Sequence, residues 1–525
     1  MSSPTGVSPA SPMALPLFRA LWTAVAVSNV GTWVQDVGQG WLMTSLTESP
    51  LLVALVNASL HAPVLVLALP AGALADLVDR RRLLLFTQIF MALTAAVLCV
   101  LTALHWVTPA VLLAFTLAMG VGMALNGPAW QAAIPDVVPR ALLPRAVVWN
   151  GIAWNAARAI GPALGGLLVA RLGAAAAFAL NALSFTATIV VLARWQAPRR
   201  VVAGPPERLL PAVVAGLRFA RHSADLRAVL SRVGMFSFFA ASGLALLPML
   251  ARRTLGGGAS TYGLLLAAIG AGAIVGAGLR SRLHRWVRSP VLLPVGMALC
   301  ALGLLLLARI GQLWSAVVVL VLFGLGWLLV MSSLNTAAQL ALPVWVRARG
   351  LSIYLLINGG AWAIGSTAAG QLASELDIPF ALMFSAGGLA LGAVLSAAAP
   401  LPDEGRAKDL STHAWSEAPR VEGLSRGPVL VMVRYPLARE VDVAQARKAV
   451  RALASIRLRD GATGWRLYED ADQAGVLVEV FTVGTWEEHL RQHARGTVAD
   501  RQIFEWAKAA CGGGEPEVVH LVAAP

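Results

Sequence analysis

From about Leu17 to Ala399 the chain runs as apolar stretches, each parted from the next by a short polar break. A helix of roughly 20 such residues crosses a ~30 Å hydrocarbon layer. The pattern predicts twelve spans, near 18–44, 50–73, 83–104, 108–132, 147–170, 174–193, 227–250, 259–279, 290–309, 312–335, 350–373 and 379–399. Past residue 400 the periodicity changes. "PVLVMVRYPL" reads as a strand, and "DVAQARKAVRALASIR" has a cap at Asp442 and helical spacing. "GWRLYED" and "GVLVEVFTV" read as two strands with a turn at Asp472–Gly475. "TWEEHLRQHARGTVADRQIFEWAKAA" reads as one or two helices, and "EPEVVHLVAA" as a last strand. That β-α-β-β-α-β order fits a ferredoxin-like fold. The expected fold class is an all-α polytopic membrane protein with a small C-terminal α+β ferredoxin-like domain.

Composition sharpens this picture. The chain is 58% hydrophobic and 13% charged, with mean hydropathy +0.71, whereas a soluble domain is about half apolar and a quarter charged. The net charge of +14 would suggest nucleic acid in a soluble protein, but here the arginines fall between apolar runs. With the N-terminus inside, the inner loops hold Arg80, Arg81, Arg82, Arg140, Arg145, Arg194 and many more; the outer loops hold only Arg171, Arg252, Arg253 and Arg309. The positive-inside rule then makes both termini cytoplasmic and gives the charge a topological role, with no nucleic-acid partner. The only lysines, Lys408, Lys448 and Lys508, mark a break after the last span. Cys99, Cys300 and Cys511 give no disulfide framework or metal spacing. The expected divisions are a disordered cytoplasmic leader (1–16), a six-helix bundle (17–193), a cytoplasmic central loop (194–226), a second bundle (227–400), a linker (401–427) and the cytoplasmic α+β domain (428–525). An amphipathic helix is expected in the central loop around Leu209–His222.

The two bundles repeat each other. At a shift of 208 residues, Gln131-Ala-Ala-Ile-Pro135 meets Gln339-Leu-Ala-Leu-Pro343, and Asn150-Gly-Ile-Ala-Trp154 meets Asn358-Gly-Gly-Ala-Trp362. Arg19-Ala20 meets Arg227-Ala228. Six spans plus six, both halves starting inside, gives parallel repeats with a site between them at mid-membrane.

Two motifs carry a family resemblance. "GALADLVDRRRL" from Gly72 to Leu83 resembles the major facilitator loop signature Gly-x-Leu-Ala-Asp-Arg-x-Gly-Arg-Arg. Gly72, Leu74, Asp76, Arg80 and Arg81 match, Leu77 replaces an Arg, and Asp79 replaces a Gly. The resemblance implies a gating loop of Gly72, Asp76, Asp79, Arg80 and Arg81, in which Asp76 bonds to the other half in the outward-facing state. In the fifth span, Ala157-Arg-Ala-Ile-Gly161-Pro162-Ala-Leu-Gly165-Gly166 resembles the antiporter signature of drug exporters, with Ala157 for its first Gly. Residues 15–400 look like the transmembrane secretion effector branch, close to the enterobactin-exporter type, on "VGTWVQDVGQGWLMTSLTESP" and "LPAGALADLVDRRRLLL". The implied place is a bacterial plasma (inner) membrane. The "TWEEHLRQH" piece makes residues 428–523 resemble the small α+β barrels of antibiotic-biosynthesis monooxygenases.

Charges inside spans are costly and mark function or pairing. Asp36 and Arg158 are such charges. Together with Gln39, Asn150, Trp154, Asn358 and Trp362 they form the expected substrate or proton set, Arg158 also belonging to the antiporter-motif helix with Gly161, Pro162, Gly165 and Gly166. The fourth span "LLAFTLAMGVGMALNGPAW" lacks the Arg that some exporters use for proton relay. No Gly-x-x-x-x-Gly-Lys-[Ser/Thr] loop supports ATP drive. His489 and His493 are four apart, but no third ligand with convincing spacing is evident, so no metal, cofactor or catalytic residue is expected. The expected function is secondary export of small lipophilic, drug- or siderophore-like molecules by alternating access, with a coupling proton. The expected partners are the small-molecule substrate and the lipid bilayer, with self-association through the C-terminal domain. The alternative is a membrane-tethered enzyme or sensor acting through that domain.

Overall fold

The computed structural model describes residues 11–195, 209–283, 289–343, 345–399, 401 and 427–522. They form two compact units. Most of the expected leader (1–16), residues 196–208 of the expected central loop (194–226) and nearly all of the expected linker (401–427) fall outside the described residues, while the amphipathic helix expected in the central loop is present at Leu209–His222.

The first unit holds the spans. Its first half comprises α1 Pro16–Leu46, α2 Pro50–Leu77, α3 Arg80–Ala103, α4 Pro109–Val137, α5 Leu143–Leu172 and α6 Ala174–Arg194. After α7 Leu209–His222, the second half comprises α8 Ala224–Ala245, the short α9 Leu247–Met249 with a π turn at Leu250–Thr254, α10 Ala259–Leu283, α11 Ser289–Leu307, α12 Leu313–Leu340, α13 Arg347–Glu375 and α14 Ile378–Ala398. Shifting α1 by 208 residues lands on 224–254, the residues of α8, α9 and the π turn. Among the described residues nine helices are individually long and apolar enough to cross a membrane. The other three of the twelve are α1 and α13, which carry more polar side chains, and α11, whose apolar stretch Val291–Leu307 is short.

Local chemistry sets the helix starts. Pro16, Pro50 and Pro109 open α1, α2 and α4, where proline's missing N–H costs nothing. Asp79 caps α3, its carboxylate accepting from the Arg82 N–H at 3.0 Å, and Asp377 caps α14 in the same way at 2.6 Å. Polar pairs then bind the helices of the first half. Asn181 of α6 donates to Gln35 of α1 at 2.7 Å, and Asn126 of α4 accepts from Thr87 and Gln88 of α3, both at 3.1 Å. Such interhelical bonds hold spans together where lipid supplies no hydrophobic drive.

The second unit joins the α+β domain to residues 206–230 and 335–353. Its four strands, β1 Val429–Pro436, β2 Thr463–Glu469, β3 Val476–Val483 and β4 Glu517–Val522, lie antiparallel in the order β2-β3-β1-β4. The intervening helices are α15 Val443–Asp460, α16 Trp486–Ala494 and α17 Val498–Ala510, which is the ferredoxin-like arrangement. Alternation decides the packing. Val429, Val431, Val433 and Tyr435 of β1, with Leu477, Phe481 and Val483 of β3, pack with Ala446, Ala449, Val450 and Leu453 of α15.

An ion network lies beside this core. Arg459 bonds the buried Asp460 at 2.8 Å and the buried Asp500 at 2.7 Å. Burial pushes the Asp460 carboxyl up to about 6 against the pull of Arg459. Burial also acts on Asp500, but bonds from Arg459 and Thr497 hold its carboxyl below the usual range. The Arg459 guanidinium also lies 5.6 Å from the Phe219 ring of α7. Arg218 of α7 donates to the Gly461 carbonyl at 3.1 Å, and Arg495 lies 4.4 Å from the Trp345 ring. Phe219 meets Trp345 edge-on at 5.7 Å. The domain is thereby fastened to α7 and to the turn between α12 and α13. Arg459→Met should cost this unit about 3–5 kcal/mol, because it strands two buried carboxylates. A lowered unfolding midpoint of the domain, followed by near-ultraviolet circular dichroism, is the check; an unshifted midpoint removes the network as a source of stability.

Candidate functional site

Within the first unit the two halves enclose a cavity of about 430 Å³, within the size range of small-molecule sites. Polar residues come from both sides: Thr32, Asp36 and Gln39 of α1, Asn57 and His61 of α2, Arg158 of α5, Tyr262 of α10 and Asn358 of α13. Four indoles complete it, Trp33 and Trp154 from the first half and Trp327 and Trp362 from the second.

The aromatic groups form two clusters of tilted rings. Trp33 and Trp154 lie 6.1 Å apart between centroids, Trp327 and Trp362 4.9 Å, and His61 sits 5.8 Å from Trp362. The Arg158 guanidinium lies 4.7 Å from the Trp327 ring, a cation–π contact that crosses between halves. Asn57 accepts hydrogen bonds from the Trp362 indole and, at 3.2 Å, from Ser366. Ser237 donates to Asn358 at 2.6 Å. Among the described residues neither Asp36 nor Arg158 has an ion-pair partner. A carboxylate and a guanidinium thus face one cavity, each available to a ligand.

Of the expected set, Asp36, Gln39, Arg158, Trp154, Asn358 and Trp362 line the cavity, and Asn150 does not. Asn150 sits two helical turns from Arg158 toward the arginine-rich end, and its side-chain N–H group is buried without a partner. The repeat pairs it with Asn358 by sequence, but the two positions have different surroundings. Tyr262, Trp327, Met123 and Met331 also line the cavity. They were illegible beforehand, because an aromatic or Met in an apolar span carries no periodic mark of which way it faces.

One end of the cavity is shut by backbone contact. A Cβ on Gly161 would lie 2.5 Å from the Trp33 Cβ, and one on Gly165 would lie 3.0 Å from the Val34 Cα, so α5 presses on α1. A Cβ on Gly166 would lie 2.9 Å from the Gly263 Cα of α10, and one on Gly270 would lie 2.7 Å from the Arg158 carbonyl. The small residues of the fifth span and of α10 therefore let the halves touch backbone to backbone. At the same arginine-poor end, the Leu51 N–H donates to the Ser374 hydroxyl at 3.0 Å, and Arg253 bonds the Glu48 carbonyl at 2.7 Å. Toward the arginine-rich end, Val147, Val148 and Ile152 of α5 and Ile274, Val275 and Leu279 of α10 are exposed.

The loop between α2 and α3 is tied to the first half. Arg80 bonds Asp136 of α4 at 3.0 Å and the Ala132 carbonyl at 2.6 Å. Arg81 donates to the Leu192 and Ala193 carbonyls, at 2.8 and 2.6 Å. These are carbonyls of the last turn of α6, where the helix dipole attracts a cation. Asp79, where the signature has Gly, serves as the α3 cap. Gly72 lies on the last turns of α2, and the Asp76 side chain lies outside the described residues. Asp136, which sequence reasoning passed over, is a partner of this loop.

Comparison with known proteins follows this geometry. The sequence profile described as "Transmembrane secretion effector" matches residues 7–525. The chain is 28% identical over 163 residues to the staphyloferrin A transporter of Staphylococcus aureus (strain NCTC 8325 / PS 47), covering 31% of this chain and 41% of that protein. It is 28% identical over 228 residues to the multidrug efflux pump Tap of Mycolicibacterium fortuitum, covering 41% and 54%. The chain thus spans about half the length of these two relatives. With the enterobactin exporter EntS of Salmonella choleraesuis (strain SC-B67), identity is 29% over 367 residues, covering 69% and 86%. Among solved structures, a POT family transporter superposes with a TM-score of 0.59 at 13% identity, covering 73% of this chain and 95% of that one. A bacterial homologue of the lysosomal transporter Spinster, in an inward-facing and unoccupied conformation, gives 0.57 at 14%, covering 74% and 95%. These likenesses show the fold of a major facilitator transporter, and the chain belongs to the transmembrane secretion effector family.

Proposed function

We propose that this protein is a secondary transporter that exports small lipophilic molecules from a bacterial cell across its inner membrane. The observation that carries the reading is the cavity: both halves line it, four indoles offer apolar stacking, and Asp36 and Arg158 face it without an ion-pair partner among the described residues. One end closed by backbone contact between the halves fits one of the end states that alternating access requires. With the arginine-rich end in the cytoplasm, both termini are cytoplasmic and the closed end of the cavity faces outward. Relatives that export a siderophore or pump drugs out support the direction of transport. A proton is the coupling ion and Asp36 its carrier, while Arg158 orients an anionic or polar part of the substrate.

The C-terminal domain regulates transport and does no chemistry of its own in this reading. Its bonds to α7 and to the α12–α13 turn support this reading. Self-association belongs to the same proposal: Leu430, Met432, Val478 and Val480 share the sheet face opposite the helices, where a second copy would cover them.

Efflux of a panel of lipophilic fluorescent dyes from proteoliposomes, with and without an imposed pH gradient, tests the function. Gradient-driven movement of at least one dye is expected. Correctly inserted protein that moves no dye, and no siderophore-like chelator, would overturn the reading.

A further inference from the structure

Three imidazoles meet inside the C-terminal domain. His489 and His493 lie one turn apart on α16, and His520 reaches them from β4. The His520 Nε2 lies 2.9 Å from the His489 Nε2, and the His493 Nε2 lies 3.3 Å from it. The ring centroids are 4.7 and 4.8 Å from that of His489. We propose that these three histidines bind one divalent transition-metal ion of the zinc type, through their Nε2 atoms, with a fourth position open to water or a ligand.

The spacing argues for it. Two nitrogens bound tetrahedrally at ~2.0–2.1 Å from zinc stand ~3.3 Å apart. The His489–His493 pair already has that separation. The i, i+4 placement on a helix is what allows it. Among the described residues no three His, Cys, Asp or Glu side chains yet surround an ion-sized point; His489 touches both of the other rings. Binding asks the His520 contact with His489 to open from 2.9 Å to ~3.3 Å, and His493 and His520 to converge on the same point. β4 is an edge strand, paired only with β1, so it can yield that much.

The outer partners argue for it as well. A ligating histidine needs its other ring nitrogen to donate, which fixes the tautomer. Gln492 gives its side-chain N–H to the Arg457 carbonyl at 3.3 Å, which leaves its oxygen as an acceptor. That buried oxygen faces the buried His489 Nδ1. A bond from Nδ1–H to this oxygen leaves the His489 Nε2 lone pair aimed at the cluster. Trp486, 5.4 Å from both His489 and His520, walls the site with apolar surface. A metal needs neutral imidazole, and nitrogen of this kind suits zinc, copper and nickel.

The test uses the full-length chain in detergent, purified without a polyhistidine tag and titrated with Zn²⁺ alone in a calorimeter. One ion per chain is expected. His493→Ala and His520→Ala, at partly exposed positions, should each weaken binding by no less than losing an outer partner does, about 10–100-fold. His105→Ala, in the α3–α4 loop, should change nothing. Zinc-edge X-ray absorption should show three nitrogen neighbours from imidazole at ~2.0–2.1 Å. Absence of stoichiometric Zn²⁺ binding by the unaltered chain, or equal binding by all three variants, would overturn the site. Should a variant misfold, the absorption spectrum of the unaltered chain decides, and fewer than two imidazoles around the zinc rejects the proposal.

Discussion

Asp36→Asn should leave the protein inserted and folded but abolish the pH-gradient dependence of export. The carboxylate faces the central cavity from α1 and, among the described residues, makes no ion pair or hydrogen bond. Its removal therefore strands no buried partner, which is the usual reason that charge removal unfolds a protein. Asparagine keeps the shape and polarity of the side chain and loses only the ability to gain and release a proton. A charge held at this depth without a partner costs free energy, so its presence calls for a functional reason. The expected loss in gradient-driven rate is at least a hundredfold, roughly 2.7 kcal/mol on the barrier. Dye efflux from proteoliposomes at matched protein density measures it, with gradient-free exchange as the control. Should the variant keep full gradient dependence, coupling lies elsewhere, and Arg158 and the Asp136–Arg80 pair become the next positions to vary.

How far the sequence foretells this site differs from residue to residue. Asp36 and Arg158 stand out because a charge in an apolar run is rare and costly, whatever the surroundings. Trp154 and Trp362 stand out because the repeat places the same residue at equivalent points of two bundles. Trp327, Tyr262 and Met331 do not: a span packed on several sides has little amphipathic periodicity, so nothing in its order shows which side chains face the cavity. Asn150 shows the converse limit, since equivalence to Asn358 by repeat does not carry equivalence of surroundings. The α+β domain is legible almost strand by strand, because a soluble half-buried sheet alternates apolar and polar residues. The pairing of α16 with β4, which gathers three histidines, depends on strand order and has no signature along the chain. His520 is 27 residues beyond His493, with a helix between them.

Gly263→Val should arrest transport by holding open the end of the cavity that is now shut. A Cβ at Gly263 would lie 2.5 Å from the Pro162 carbonyl oxygen and 2.7 Å from the Gly166 Cα. Both are backbone atoms of α5, so no side chain can turn aside to make room. Valine adds two further carbons that a helix confines to essentially one rotamer. The helices must then separate at this level, and the seal that Gly166 and Gly270 make between the halves opens with them. Each half keeps its own packing, so the variant should insert and remain folded. A transporter that closes one end only by parting the other cannot complete its cycle in this condition. The rate should fall at least a hundredfold, with Gly263→Ala intermediate, since one carbon asks for a smaller separation. A conformational readout separates arrest from misfolding. Cysteines introduced by Leu51→Cys and Ser374→Cys, after replacement of Cys99, Cys300 and Cys511, stand where the Leu51 N–H now meets the Ser374 hydroxyl across the halves. A short bifunctional reagent should link them in the otherwise unaltered chain and fail to do so with Gly263→Val present. Efficient linkage together with normal export in the valine variant would mean that α5 and α10 yield at this crossing without consequence, and the glycine contacts would lose their role as a closure.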